Sequence, residues 1–263
     1  MIIDGNKISK EIIWGLETKK PLPFGLAAIL IGGDKSSESF LLQKEKLAKV
    51  LKISFQIFRF KDTDSQLIIE EKIKELNADP KIGGIILQLP LPKAFNQQVL
   101  IEKLSNFKDI DNLKDGGVFE SPSVLTIKEI LSRISFNIKN RVVAIVGLGF
   151  LVGRPIAKWL AGEVAGPKNV LLFDKDNFDK NLLKGADLVI SGAGVSKLIT
   201  GEFIKEGAVL IDFGYSYIDG RVFGDFDFES CEFKSKYITP TPGGTGPILI
   251  PELFSNLYKS AKL

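Results

Sequence analysis

Short apolar runs alternate with amphipathic stretches along almost the whole chain, and this rhythm restricts the fold more than any other feature. The apolar runs are 25–31 (GLAAILI), 53–60, 83–88 (GGIILQ), 141–146, 169–173 (NVLLF), 187–191, 207–212 and 236–239. Helical periodicity occupies 6–19, 36–51, 64–77, 96–104, 123–134, 152–162, 179–184, 201–205 and 250–261. Strands separated by helices predict βαβ units and mostly parallel sheets, an α/β fold. The strands fall into two groups, before about residue 110 and after about 140, with a loop rich in Asp, Gly and Ser between them. At 263 residues the chain accommodates two modest domains. The expected division is 1–119 and 120–249, with the last helix, 250–263, returning to the first domain.

Composition narrows the chemistry. There is no histidine and one cysteine, Cys231. Histidine triads, histidine metal ligands and cysteine-rich metal sites are therefore excluded, and no metal is expected. Proton transfer must fall to Lys, Asp, Glu, Tyr, the backbone or a cofactor. The net charge of +3 is spread along the chain and points to no nucleic acid. No apolar run approaches the roughly 20 residues of a membrane span. The opening MIIDGNKISKEIIWGLETKK lacks a signal-peptide core. The expectation is a cytoplasmic chain with no membrane or nucleic-acid partner.

Residues 142–158 read VVAIVGLGFLVGRPIAK: an apolar strand, then Gly147, Gly149 and Gly153, then a helix. This order suits a Rossmann-like dinucleotide site. Glycines let the backbone approach a pyrophosphate, and a helix N-terminus offers unpaired N–H groups. The G-x-G-x-x-x-G spacing is one residue longer than the common fingerprint, and a tight strand-to-helix turn without ligand gives the same pattern. The next strand ends at Asp174, where a carboxylate accepts from an adenosine ribose and repels a 2′-phosphate. Leu148 stands where an arginine could have met that phosphate. The charge argument favours NAD over NADP, although Lys175 is adjacent and Asp174 also reads as a solvated turn residue.

In the first half, helical geometry places Ser37, Phe40, Lys44, Leu47, Ala48 and Leu51 on one arc, with Lys44 near its centre. Either this lysine snorkels past the helix edge, or it is a desolvated amine suited to proton transfer. Periodicity does not separate the two. Gln88 ends the run GGIILQ ahead of LPLP; its amide either orients a neighbour or caps a strand end. Asp109 and Asp111, two apart in KDID, form a surface turn or present one carboxylate to a site. The loop Pro240–Pro247 is stiff, with exposed backbone groups, and either closes over a ligand or links elements.

Taken together, IIDGNKISKEI, the segment around Lys44, GGIILQLPLP, KDID, VGLGFLVGRP, KEGAVLIDFGY, GDFDF and TPTPGGTGPI resemble the bifunctional methylenetetrahydrofolate dehydrogenase/cyclohydrolase (FolD) family over nearly the whole chain. The resemblance implies a folate domain, a Rossmann-like dinucleotide-binding domain and a folate cleft between them. It implies a homodimer formed through the dinucleotide-binding domains. The implied reactions are oxidation of 5,10-methylenetetrahydrofolate with a nicotinamide cofactor and hydrolysis of the methenyl product to 10-formyltetrahydrofolate. By resemblance Lys44 is the catalytic lysine, Gln88 its partner and Asp111 the aspartate holding the pterin. Substrate contact falls to Phe40, Asp111, Leu89, Pro90, Gly243, Gly244 and Pro247. Cofactor contact falls to Gly147, Leu148, Gly149, Val152, Gly153, Arg154, Asp174, Gly192, Gly194, Asp212, Gly214 and Thr245.

The chain departs from that pattern at several positions. Phe40 replaces a usual tyrosine one helical turn before Lys44, Asn112 replaces the glycine of KDVDG, and Lys35 replaces a loop proline. Pro122-Ser123-Val124-Leu125 replaces Pro-Cys-Thr-Pro, and Leu249 replaces a threonine. The missing phenol leaves open a dehydrogenase with weak or lost cyclohydrolase activity. A folate-binding relic without turnover, or a dehydrogenase for another small substrate, fits the same two-domain plan.

Overall fold

The computed structural model describes residues 1–114, 116–164 and 166–262. The chain divides into two units by its internal contacts. One comprises Ile12–Pro122 and the segment from Ile250 onward; the other comprises Met1–Glu11 and Ser123–Leu249. They are called here the three-stranded and the five-stranded unit.

The first helix, α1 (Gly5–Glu17), begins in the five-stranded unit and ends in the three-stranded one. The latter then runs β1 (Gly25–Ile31), α2 (Lys35–Val50), β2 (Phe55–Phe60), α3 (Gln66–Ala78), β3 (Ile82–Leu87) and α4 (Gln97–Lys103). Its sheet is parallel throughout, in the order β2-β1-β3. β1 and β3 are buried at every position, whereas β2, on the edge, is half-exposed. That contrast is why the first two read as continuous apolar runs. Caps start the helices: Asp34 accepts from the Ser37 N–H, Ser65 from Leu67 and Asn96 from Val99.

The five-stranded unit holds α5 (Pro122–Arg133) from Ser123 on, then β4 (Val142–Val146), α6 (Gly153–Gly162), β5 (Asn169–Phe173), β6 (Leu188–Ser191), β7 (Val209–Asp212), β8 (Ser216–Ile218), β9 (Arg221–Phe223), α7 (Phe228–Glu232) and β10 (Tyr237–Ile238). The main sheet is parallel, in the order β10-β7-β6-β4-β5. The chain leaves β4 for β5 on one side and returns to β6 on the other, so the strand order reverses between β4 and β6. Ligands of open α/β sheets bind outside the carboxyl ends of strands at such a point. The last helix, α8 (Gly246–Ser260), starts in this unit; from Ile250 it belongs to the three-stranded unit, where Leu253, Phe254, Leu257 and Tyr258 join the core with Leu26, Leu30, Leu41 and Ile86.

Several elements differ from the sequence expectation. The opening residues, expected with 1–119, belong to the five-stranded unit. The Ile3 N–H donates to the Ile238 carbonyl at 2.8 Å and the Ile238 N–H to Met1 at 3.1 Å, so the chain start lines the open edge of β10. A two-residue bridge leaves no periodic signal. The hairpin β8–β9 was not expected, although Asp219 and Gly220 have the positive φ values of a type I′ turn, 49° and 78°. The stretches expected as helices at 179–184 and 201–205 are short 3₁₀ segments of two turns and one turn, Lys180–Gly185 and Gly201–Phe203. α8 begins four residues before the expected 250, with Pro247 in its first turn and Pro251 inside it. Among the described residues no helix is long and apolar enough to cross a membrane.

Candidate active site

On α2 the buried positions are Ser37, Leu41, Leu47 and Ala48. Lys44 lies on the same stripe, between Leu41 and Ala48. Its side chain as a whole is only half-buried, yet protein packs densely around the ammonium. Desolvation accordingly lowers its pKa, and the Asp111 carboxylate partly opposes that shift. Lys44 Nζ donates to Gln88 Oε1 at 3.0 Å, and Gln88 Nε2 donates to the Leu89 carbonyl at 2.8 Å. The second bond fixes which end of the amide faces the lysine. Gln88 is buried one residue past β3, its backbone N–H on the Ile29 carbonyl, so the sheet itself positions it. The structure thus brings Lys44 and Gln88, 44 positions apart in sequence, into contact.

Asp111 is held by the turn that follows Asp109. Asp109 is fully buried, bridges Ile85 on β3, and accepts the Lys114 N–H on Oδ2 at 2.8 Å. Lys108 Nζ closes the carboxyl end of α3, donating to the Leu76 and Asp79 carbonyls at 2.9 and 2.7 Å. Asn112 has φ +53°, a left-handed conformation that explains both the glycine of the usual pattern and the tolerance of asparagine here. Burial raises the pKa of Asp111, and the Lys44 charge lowers it. Lys44 and Asp111 thus sense each other's charge, each pushed by desolvation toward its neutral form. Phe40, one helical turn before Lys44, is 38% exposed; Leu89 is half-buried and Pro90 exposed.

In the five-stranded unit the glycines have distinct jobs. A Cβ on Gly153 would lie 2.0 Å from the Gly147 carbonyl oxygen, and one on Gly147, whose φ is +87°, would lie 2.7 Å from Ala193. These two are required for the turn and for its packing against the loop after β6. Gly149 is different: exposed, with nothing within 4 Å of its Cβ position. The N-cap of α6, Val152, makes no side-chain capping bond. An open backbone turn beside an uncapped helix start, at the point where strand order reverses, fits the phosphates of a dinucleotide. Leu148 and Val152 are half-buried, and Arg154 is exposed with Nε on the Leu148 carbonyl at 3.1 Å. Asp174 is exposed at the end of β5, Gly192 half-buried and Gly194 exposed at the end of β6.

Three residues assigned to cofactor contact are engaged inside the unit instead. Asp212 is 2% exposed and accepts from the N–H groups of Gly214, Asp225 and Phe226. Gly214 is buried against the Asp225 carboxylate. The Thr245 hydroxyl donates to the Asp212 carbonyl at 2.6 Å. In the loop 240–247, Gly243 has φ +101°, Gly244 is buried and Pro247 half-buried. The Gly5 N–H donates to the Gly243 carbonyl at 2.9 Å, so this loop rests on the start of α1.

Two residues escaped the sequence reading. Asn256, fully buried on α8, donates to the Ile110 and Glu120 carbonyls at 2.8 and 2.7 Å and pins the chain beside Asp111. Its role rests on contacts with residues far away in sequence, which leave no local signal. Asp225, fully buried, accepts from Ser191 Oγ, Ala193 N and Val195 N. It lay inside the motif GDFDF without a role.

Comparison with known proteins places these features in context. A profile described as tetrahydrofolate dehydrogenase/cyclohydrolase, catalytic domain, matches residues 3–111, and the corresponding NAD(P)-binding domain matches 122–263. The chain is 35% identical to the bifunctional protein FolD of Halothermothrix orenii, over 99% of this chain and 98% of that one. It superposes on the crystal structure of the bifunctional enzyme FolD from Campylobacter jejuni with a TM-score of 0.94 at 30% identity, covering 100% and 98% of the two chains. The FolD of Trypanosoma brucei, complexed with NADP cofactor and inhibitor, gives a TM-score of 0.90 at 26% identity over 100% and 97%.

Proposed function

The chain belongs to the tetrahydrofolate dehydrogenase/cyclohydrolase family and has both activities of that family, and on this premise we propose how its own residues carry them. The observation that carries the reading is the 3.0 Å bond from Lys44 Nζ to Gln88 Oε1, made by a desolvated amine within electrostatic reach of Asp111. The substrate is 5,10-methylenetetrahydrofolate; its oxidation gives the methenyl cation, and hydrolysis of that gives 10-formyltetrahydrofolate.

In the hydrolytic step, water adds to the methenyl carbon and Lys44, as free amine, takes the proton the water loses. The ring C–N bond then breaks as that nitrogen receives a proton from the lysine, while the carbinol oxygen becomes the formyl carbonyl and releases its own proton to solvent. Desolvation lowers the lysine pKa and so raises the fraction present as free amine. Gln88 acts through Lys44: its Oε1 takes one N–H and so sets the direction of the remaining hydrogens or lone pair. Asp111 accepts from the amino and N–H groups of the pterin, charge-assisted bonds that orient the substrate. Phe40 offers a ring for stacking, and Leu89 and Pro90, next to Gln88 in the chain, offer further substrate contact.

A nicotinamide dinucleotide would be held by Gly147, Leu148, Gly149, Val152, Gly153 and Arg154 at its phosphates, and would supply the two-electron acceptor for the oxidation. Gly192 and Gly194 border the same turn from β6. Asp174 favours NAD, because its carboxylate suits a ribose hydroxyl and repels a 2′-phosphate, and Leu148 brings no compensating charge. A pair of chains joined through the five-stranded unit is supported by hairpin β8–β9, which exposes Tyr217 and Ile218; sedimentation of the purified protein tests it.

The decisive assay follows methylenetetrahydrofolate oxidation with NAD and NADP in parallel, and methenyl hydrolysis separately without dinucleotide. Turnover in both, with higher kcat/KM for NAD, is expected. Absence of hydrolysis would remove the role given to Lys44, and a preference for NADP would remove the role given to Asp174.

A further inference from the structure

We propose that Asp225 is the positioning residue of the dinucleotide site: from inside the unit its carboxylate gathers the loop after β6 and sets that loop's outward face. The proposal deepens the dinucleotide reading above and rests on it. Asp225 touches no ligand-facing surface, being fully buried. Oδ2 accepts from Ser191 Oγ at 2.6 Å and from the Ala193 N–H at 2.7 Å; Oδ1 accepts from the Val195 N–H at 2.8 Å. All three partners are donors, so the site requires an acceptor on both oxygens.

The consequence follows from peptide planarity. In a trans peptide the N–H and the preceding C=O point in opposite directions. With the Ala193 and Val195 N–H groups turned inward, the Gly192 and Gly194 carbonyls turn away from Asp225. The Gly194 carbonyl accepts from Ser216 Oγ at 2.9 Å. The Gly192 carbonyl is left as an acceptor beside the glycine turn, since a Cβ on Gly192 would meet Val152 at 3.0 Å. An acceptor carbonyl suits an amide NH2, the donor that a nicotinamide carboxamide carries. Asp225 is itself anchored: Asp212 accepts its N–H at 3.2 Å, and the space for a side chain at Gly214 is filled by the Asp225 carboxylate, 2.1 Å from the Cβ position.

The test compares wild type with Asp225→Asn by calorimetric titration with NAD and with NADP, alongside amide hydrogen exchange of the ligand-free protein. The amide side chain puts a donor against a donor and breaks at least one charge-assisted bond. Dinucleotide Kd is expected to rise at least about tenfold, exchange at 193–195 to accelerate, and methenyl hydrolysis, which uses the residues around Lys44, to persist. Dehydrogenase KM for dinucleotide should rise far more than kcat falls. Unchanged dinucleotide affinity would overturn the proposal, and so would equal loss of both activities in a variant whose melting transition is intact. If that variant does not fold, Ser191→Ala removes one of the three bonds; a rise in Kd of about threefold is expected, and none would overturn the proposal. A wild-type protein that binds neither dinucleotide would instead refute the underlying reading.

Discussion

The two units solve opposite problems. In the three-stranded unit the candidate site is made of side chains, ionisable groups held where they are poorly solvated: Lys44, Asp111 and the neighbouring Asp109. In the five-stranded unit the candidate site is made largely of backbone, with the carboxylates of Asp212 and Asp225 buried behind its loops. The first kind of site is sensitive to the identity of a functional group. The second is sensitive to volume, because a single methyl group at the wrong glycine displaces a main chain. Lys44→Met breaks the first kind outright. It removes the titrating amine without burying a charge, so hydrolysis should fall by about 10²–10⁴-fold while dinucleotide binding and melting temperature hold. Loss of dinucleotide binding together with hydrolysis would erase the distinction.

Buried carboxylates sharpen the comparison, because each unit has one whose proton is held unusually tightly. Burial, opposed by N–H bonds, pushes Asp109 up to about 6; burial and the neighbouring Asp225 charge push Asp212 up to about 7, against an ordinary 3.8. Between those limits the native chain binds more protons than the unfolded one, so stability falls as pH rises from about 4 to about 7. Asp212→Asn should flatten the upper part of that slope and Asp109→Asn the lower part. The Asp212 contribution is of the order of 2–4 kcal/mol across the window. Melting temperatures measured from pH 4 to pH 8 for the three proteins check this. A slope unchanged in Asp212→Asn would show that Asp212 is not its source.

Glycine substitutions probe the backbone site directly. Gly153→Ala places a Cβ 2.0 Å from a carbonyl oxygen, whereas Gly149→Ala meets nothing within 4 Å. The first should cost about 1–3 kcal/mol of stability and abolish dinucleotide binding; the second should leave stability unchanged and weaken binding alone. Thermal melts with and without dinucleotide separate the two. Smaller still is the exchange of cofactor preference. Asp174→Ser with Leu148→Arg removes a repulsive carboxylate and supplies a guanidinium, and should move the kcat/KM ratio toward NADP by about tenfold.

The difference between the units also governs what could be read in advance. The sheets were legible because β1, β3, β4, β6 and β7 are buried in largely apolar runs, and the glycine turn because its residue types are dictated by space. Lys44 stood out because a charge on an apolar stripe violates periodicity. Its partner remained ambiguous, since Gln88 is joined to it by a contact 44 positions apart in sequence. Asp225 and Asn256 were invisible for the same reason: their roles consist of bonds to groups 30–34 and 136–146 positions away, and no local pattern encodes those. Asp212 and Thr245 were placed near the cofactor by their motif, yet a motif does not say which way a side chain faces.

Phe40 is where the side-chain site can be tested most gently. It lies one helical turn before Lys44 and is 38% exposed, so its surroundings are not a closed apolar interior. Phe40→Tyr should therefore leave the melting temperature unchanged. A phenol at this position can hydrogen-bond the lysine, the attacking water or the substrate, and one such bond contributes about 0.5–1.5 kcal/mol. Hydrolysis should accelerate by about two- to tenfold, with dinucleotide affinity unchanged because the residues assigned to it lie in the other unit. An unchanged hydrolysis rate would mean that Lys44, oriented by Gln88, carries proton transfer without help from its own helix. The side-chain site would then be smaller than the family pattern implies, and its dependence on one amine correspondingly greater.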